Sequence, residues 1–212
     1  MKAIETKDKS MTFYNKQYAE TYHSTSGAIE ESFKKFVEPC MIKEGMIVLD
    51  ICFGLGYNVL AAMTAAKNLK IISLEKDKTV MREMQGLEVP EKLKEKYEIV
   101  KKAAKEFAYK DNDYEIKIIL GDATQSIKIL NERFDAVFLD PFSPPKNPEL
   151  WTEEFFMDIK KVMKPGAILA TYSCAGVVRR NLTRAGFEVK DGPIVGRRSP
   201  GTIATVLSDS SL

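Results

Sequence analysis

The sequence predicts an α/β fold: a mostly parallel seven-stranded sheet ending in a C-terminal antiparallel hairpin. Three observations carry that expectation. From residue 46 onward, strand-like and helix-like segments alternate, the pattern of a parallel sheet with helical crossovers. The first strand runs into Gly54-Leu55-Gly56, a turn that opens a helix. Carboxylates stand at the ends of later apolar runs, as Glu75, Asp122 and Asp140, and open α/β sheets bind ligands outside the carboxyl ends of their strands.

Each element follows from local pattern. Residues 46–51 are a short apolar run and the first strand; residues 54–58 turn, and the alanine-rich stretch 59–67 is helical. Residues 70–74 form the second strand, ending at Glu75, and Asp77 caps a helix that runs to about Gln85. Pro90 interrupts the chain, after which Leu93, Tyr97, Val100, Ala104 and Phe107 recur at helical spacing through the charged stretch 91–109. Residues 114–120 and 134–139 are the third and fourth strands, separated by Gly121-Asp122-Ala123 and a helix through about Leu130. Thr152 and Glu154 start a helix that stops near Lys164-Pro165-Gly166. Residues 167–172 are the fifth strand, 176–185 the last helix, and 187–189 with 202–207 the closing hairpin. The N-terminal part is less legible, with a strand expected at 11–14 and a helix at 28–37.

Hydrophobic residues make up 44% and charged residues 29% of the 212, enough apolar material for one full core in an ordinary soluble domain. A net charge of +2 does not mark a nucleic-acid binder, so attraction for RNA has to come from local basic clusters. No apolar run is long enough to span a bilayer and the lysine-rich start is not signal-like, so a cytoplasmic protein without membrane contact is expected. Cys40, Cys52 and Cys174 are scattered without a C-x-x-C pair, and His23 is the one histidine. That argues against a disulfide framework and a zinc site, and no metal is expected.

Two places concentrate chemistry. At the first turn, Gly54 and Gly56 let a ligand approach backbone without a Cβ in the way, although glycine at such a turn also serves geometry alone. Glu75, about twenty residues on, suits ribose hydroxyls or is a solvated charge. Asp122 suits an adenine amine, with Ala123 leaving room for the ring, or is a helix N-cap. The third glycine of a pyrophosphate-binding G-x-G-x-x-G is replaced by Val59, so S-adenosylmethionine fits better than NAD, and its sulfonium is drawn to carboxylates. The second place is the proline-stiffened loop from Asp140 through Pro141, Phe142, Ser143, Lys146 and Asn147 to Trp151. A carboxylate that accepts N–H bonds, followed by an aromatic ring that stacks, suits a flat substrate bearing an amine. Phe142 and Tyr172 are the candidate stacking rings, each with core packing as the alternative, and Trp151 reads as a packing anchor.

With these residues in view, the chain resembles class I S-adenosylmethionine-dependent methyltransferases. More closely it resembles the methyltransferase domain of the MnmC family, which modifies the tRNA wobble uridine. The resemblance lies in Tyr22-His23-Ser24 with Gly27-Ala28, in Phe53 through Asn58, and in Asp140 through Trp151 with its K-N-P-x-x-W segment. The run Ala175-Gly176-Val177-Val178-Arg179-Arg180, then Ala185-Gly186-Phe187, then Gly196-Arg197-Arg198, complete it. It implies a Rossmann-like fold whose cofactor, S-adenosyl-L-methionine, is held by Phe53, Gly54, Gly56, Asn58, Glu75, Asp122, Ala123 and Asp140.

The implied reaction is N-methylation of the aminomethyl group of 5-aminomethyl-(2-thio)uridine at the wobble position, giving the 5-methylaminomethyl form. Asp140 is the implied catalytic residue, as orienting group or proton acceptor. Phe142, Ser143, Lys146, Arg179, Arg180, Arg197 and Arg198 face the tRNA anticodon stem-loop, with Arg184 part of the same basic rim. Residues 1–40 are then an extension closing over the active site, with Tyr22, Ser26 and Gly27 near the cofactor, and residues 41–212 the methyltransferase domain. Bacterial members often carry a second, FAD-dependent domain; without it, the aminomethyl precursor has to come from a separate enzyme. Two departures stand out: Pro141 where Gly is usual, and Leu55 where a small residue is common. The competing readings are adenine N-methylation of a nucleic acid and a spermidine-synthase-like aminopropyl transfer.

Overall fold

The computed structural model describes residues 2–195 and 199–207. The chain opens with strands β1 (Lys2–Glu5), β2 (Met11–Asn15) and β3 (Glu20–Thr21), paired antiparallel in that order. Helix α1 (Ala28–Ser32) continues as a π-helical turn, Phe33–Val37. Then β4 (Ile47–Ile51), α2 (Tyr57–Ala65), β5 (Leu69–Glu75), α3 (Lys78–Glu83) and α4 (Lys94–Glu106) lead to β6 (Ala108–Lys110) and β7 (Tyr114–Leu120). The second half runs α5 (Ala123–Ser126), β8 (Phe134–Leu139), α6 (Glu153–Val162), β9 (Met163–Thr171), α7 (Gly176–Arg184), β10 (Glu188–Ile194) and β11 (Pro200–Thr205).

The main sheet has the order β10-β11-β9-β8-β4-β5-β7-β6. Strands β9, β8, β4, β5 and β7 are parallel, and β11 runs antiparallel to both β9 and β10 as the expected hairpin. Successive side chains of a strand point to opposite faces. Val48 therefore joins Phe36 and Leu60 on one side of the sheet, while Leu49 and Ile51 join Phe156 and Leu182 on the other. Helix α6 shows how the outer layer forms. Thr152 Oγ1 accepts the Phe155 N–H at 3.2 Å as an N-cap, and Phe155, Phe156, Ile159 and Val162 form its buried face. The strand order reverses between β4 and β8, which places a crevice at their C-terminal ends.

The seven strands expected from the sequence are all present, and β6 adds an eighth at the far edge. Phe107 extends the apolar stripe of α4, so helical periodicity runs past the point where the helix stops. The helix ends because Phe107 turns left-handed (φ 61°), and residues 108–110 fold back along β7. A second difference lies at Lys164-Pro165-Gly166. These residues follow the end of α6 but already belong to β9, whose register against β8 shifts beside them. Strands β1 and β3 were not legible in the sequence. Among the described residues no helix is long and apolar enough to cross a membrane.

Candidate active site

A cavity of about 510 Å³ lies at the C-terminal ends of β4, β5, β7 and β8, with the segment from Tyr14 to Ser24 along its other side. Its base is built by the turn after β4. Cys52 and Gly54 line the cavity, and both have positive φ (73° and 55°), a conformation that disfavours most side chains. A Cβ added at Gly54 meets nothing nearer than the Tyr22 ring at 3.5 Å. Gly56 (φ 74°) has another reason to be glycine: a Cβ there comes within 2.5 Å of Val100 Cγ1 and 2.8 Å of Phe53 Cζ. The Phe53 ring is in the core, and Asn58 sits fully buried in the first turn of α2. The glycine turn thus splits into a cavity-facing part and a packed support.

Glu75 ends β5 and lines the cavity. Its Oε2 accepts the Gly54 N–H at 2.9 Å, and its Oε1 accepts those of Lys76 (2.9 Å) and Asp77 (2.7 Å). That uses about three of a carboxylate's four acceptor positions. Burial outweighs these donors and holds its pKa above the ordinary value. Asp122 behaves differently. Its side chain is exposed and caps α5, accepting the Thr124 N–H at 2.8 Å and the Thr124 hydroxyl at 2.6 Å, which depresses its pKa. Its neighbours Gly121 and Ala123, not Asp122 itself, line the cavity.

Asp140 follows β8 directly and is anchored by its N–H to the Ile51 carbonyl at 3.1 Å. Its Oδ2 accepts the Asn58 Nδ2–H at 2.9 Å and lies 3.8 Å from His23 Nδ1. Burial, reinforced by the nearby Glu31 carboxylate, raises the Asp140 pKa well above the carboxylate range. His23 is itself buried, which lowers its pKa to about 4 and leaves the imidazole neutral near pH 7. Glu31 lines the cavity too, bonded to the buried Lys35 ammonium at 3.0 Å and to the Ser24 N–H at 3.0 Å.

The proline-rich loop is pinned from below by Tyr172, whose hydroxyl donates to Pro141 O (2.9 Å), and by Trp151, whose indole N–H donates to Phe142 O (2.9 Å). The N-terminal hairpin holds it from above. Tyr18 stacks on Phe142 with centroids 4.4 Å apart, Tyr22 tilts against it at 5.1 Å, and Ser143 gives both its N–H and its hydroxyl to Glu20.

Among the described residues, none of the basic residues expected around the mouth lines the cavity. Lys146 is exposed and does not line the cavity. Arg179 is spent within the fold, paired with Asp191 and bonded to Thr202 Oγ1 (3.1 Å) and Gly201 O (3.2 Å). Arg180 and Arg184 are exposed, and Arg197 and Arg198 lie outside the described residues. Among the described lining residues, Glu20, Glu31, Glu75, Asp77 and Asp140 face one ammonium, Lys76. Ser26 and Gly27 do not line the cavity. Tyr18, Glu20 and Glu31 carried no signal in the sequence. His23 had one, as the only histidine beside Tyr22.

An adenosyl sulfonium suits this site. The volume is that of a small-molecule pocket, the Gly54, Gly121 and Ala123 wall is backbone and small side chain, and the excess of carboxylates favours a cation. Among the described residues no cluster of His, Cys, Asp or Glu is arranged to hold a metal.

The fold and site define a class. Residues 85–206 match the family model of S-adenosyl-L-methionine-dependent methyltransferases, and the chain belongs to that family. Within it, the chain is 33% identical over 210 residues to an uncharacterized protein of Methanocaldococcus jannaschii, covering 95% of this chain and 58% of that one. It is 28% identical over 209 residues to the tRNA 5-methylaminomethyl-2-thiouridine biosynthesis bifunctional protein MnmC of Pseudomonas entomophila, covering 87% of this chain and 32% of MnmC. The crystal structure of MNMC2 from Aquifex aeolicus superposes with a TM-score of 0.87 at 35% identity, over 97% of this chain and 70% of that one. Spermidine synthase from Thermotoga maritima shares the fold at 14% identity, with a TM-score of 0.62 over 97% of this chain and 72% of that one. The chain thus spans 58% and 32% of the length of these two curated relatives.

Proposed function

We propose that this methyltransferase N-methylates the aminomethyl group of 5-aminomethyl-(2-thio)uridine at the tRNA wobble position. The observation that carries the reading is Asp140: a carboxyl that lines the cavity and is bonded to Asn58, in a lining it shares with the clustered Phe142, Tyr18 and Tyr22 rings. The names of the MnmC relatives point the same way. Bound at this edge, S-adenosylmethionine supplies a methyl group on a positively charged sulfur that leaves as a neutral thioether. Gly54, Glu75, Gly121 and Ala123 would hold the adenosine part.

Methyl transfer needs a neutral amine lone pair in line with the methyl carbon, so positioning supplies most of the rate. Asp140 accepts an N–H of the amine and orients its lone pair, and a proton shed after transfer can pass to the same carboxyl. Phe142 offers a face to the uracil ring, which requires Tyr18 to give up its stacked place or to clamp from the opposite side. Residues 1–40 act as the cover of this site. Exposed cations such as Lys146 and Arg180 meet the anticodon stem-loop phosphates, the reaction belongs in the cytoplasm, and another enzyme supplies the aminomethyl precursor.

One observation favours a second reading. Five carboxylates around the cavity also suit a polyamine, as aminopropyl transfer requires. The deciding experiment incubates the protein with isotopically labelled S-adenosylmethionine and tRNA bearing 5-aminomethyluridine, followed by mass analysis of the nucleosides. Label in 5-methylaminomethyluridine supports the proposal. Label in methyladenosine overturns it, as does aminopropylation of putrescine from the decarboxylated donor with no methylation of tRNA.

A further inference from the structure

His23 is a polar ring that the fold buries but does not use. It is 7% exposed and lines the cavity, yet among the described residues no hydrogen bond holds its ring. Native interiors rarely leave a buried polar group unmatched, and a phenylalanine would pack there without that cost. The ring is firmly placed all the same. The His23 backbone N–H donates to Thr12 Oγ1 at 3.0 Å, and the ring tilts against Tyr57 with centroids 5.2 Å apart. Tyr57 is fixed in turn by its hydroxyl, which donates to Met11 O at 2.7 Å. The charged groups facing the imidazole are the carboxyls of Asp140, Glu31 and Asp8, and the Lys35 ammonium that bonds Glu31.

His23 Nδ1 and Asp140 Oδ2 are 3.8 Å apart. That is too far for a hydrogen bond between them, but it is a spacing at which two acceptors can share one donor atom. A nitrogen about 2.9 Å from both sees them about 80° apart, which two N–H bonds of a tetrahedral amine span with modest bending. Asp140 Oδ2 keeps a lone pair for this after accepting the Asn58 Nδ2–H at 2.9 Å. We propose that His23 Nδ1 and Asp140 Oδ2 form a two-acceptor cradle for a primary amine, in which His23 orients the nucleophile and limits it to one methylation. The inference deepens the proposed amine methylation and rests on it. A neutral primary amine gives both N–H bonds to the cradle and keeps its lone pair for the methyl carbon. The N–C bond forms as the C–S bond breaks onto sulfur, and the extra proton passes to Asp140 and then to solvent. The secondary amine that remains has one N–H and cannot fill both acceptors. Burial keeps the imidazole neutral, as an acceptor must be, holding its pKa at about 4 against the pull of Glu31 and Asp8.

His23 is the one histidine of the chain, so nitrogen NMR of histidine-labelled protein reads this ring alone. Near pH 7, Nδ1 should be the unprotonated nitrogen. Adding tRNA that bears 5-aminomethyluridine, together with S-adenosylhomocysteine, should shift Nδ1 toward the hydrogen-bonded position. A proton on Nδ1, or an Nδ1 signal indifferent to this tRNA, overturns the cradle. In kinetics, wild type should prefer aminomethyl over methylaminomethyl tRNA by at least about 10²-fold in kcat/KM. His23→Leu should lose about tenfold in kcat on the primary amine, the share of one orienting hydrogen bond, and narrow the preference by a similar factor. His23→Asn, whose amide oxygen can stand at the Nδ1 position, should keep both within about threefold. Equal loss on the two amines, or no rescue by Asn, is what a packing role gives and overturns the proposal. An Nδ1 shift without methyl transfer sinks the proposed function and leaves the cradle standing; transfer with Nδ1 unmoved does the opposite.

Discussion

Asp50, on β4, is fully buried, and its titration has a consequence for stability that is measurable without any substrate. Burial raises its pKa from an ordinary 3.8 to about 7 in the folded protein, while the unfolded chain keeps the ordinary value. The folded state then binds the proton more tightly, so between the two pKa values stability falls as pH rises. The stability is fully present below the unfolded pKa and is lost progressively up to the folded one. A separation of that size corresponds to about 4 kcal/mol. Asp50→Asn removes this titration while keeping a hydrogen-bonding side chain of the same shape. Denaturant unfolding of both proteins at intervals from about pH 4 to pH 8 should show the variant gaining on wild type by about 4 kcal/mol across the range, on the order of 10 °C in melting temperature for a chain of this size. The difference between the proteins isolates Asp50, because the other carboxylates titrate in both. A gap that stays constant within about 1 kcal/mol would refute the reasoning.

Four further outcomes follow from the site and its supports. Asp140→Ala should lower turnover by about 10²-fold while leaving affinity for the neutral product, S-adenosylhomocysteine, unchanged by calorimetry; parallel loss of both would move Asp140 into the cofactor-binding group. Gly56→Ala forces a left-handed alanine against Val100 and Phe53 and should cost about 3 kcal/mol in denaturant unfolding, the sum of backbone strain and overpacking. Arg179→Ala should lower the melting temperature but leave the salt dependence of tRNA binding as it was, because its guanidinium is engaged by Asp191, Thr202 and Gly201. Arg180→Ala should do the reverse, reducing the slope of log affinity against log salt by about 1.

The parts of this protein legible in the sequence were those determined by local pattern. Strands β7 and β8 coincide with apolar runs bounded by turn residues, and Asp77, Thr152 and Gly56 sit where capping and turn chemistry put them. The cavity lining was legible where a residue sits at or just past a strand end, as Gly54, Glu75 and Asp140 do. It was illegible where long-range folding decides. Nothing local distinguishes Glu75, whose side chain curls back onto the Gly54, Lys76 and Asp77 amides at the cavity wall, from Asp122, whose side chain is consumed by its own helix. Arg179 reads as a phosphate ligand until β10 and β11 fold beside it. The N-terminal hairpin contributes Tyr18, Glu20 and His23 through contacts more than a hundred residues apart in sequence, such as Glu20 with Ser143, which no periodicity reports.

The acidic lining has a consequence for how such a site tells its donor from its product. The two differ at sulfur by one positive charge, and the groups available to sense it are carboxyls that burial has pushed up, Glu75 and Asp140. A cation entering the cavity favours their ionised forms, so binding S-adenosylmethionine should expel protons, while S-adenosylhomocysteine, uncharged at sulfur, should not. Affinity for the donor should therefore rise with pH, at most about tenfold per pH unit for each proton released, and level off once the carboxyls are ionised in the free protein; affinity for the product should stay nearly flat. Calorimetric titration in buffers of different ionisation heat counts the protons directly. Asp140→Asn should reduce the count for the donor and leave the product unchanged. Equal proton counts for the two ligands would mean that the carboxyls answer to something other than the charge on sulfur, such as the amino acid end that both ligands share.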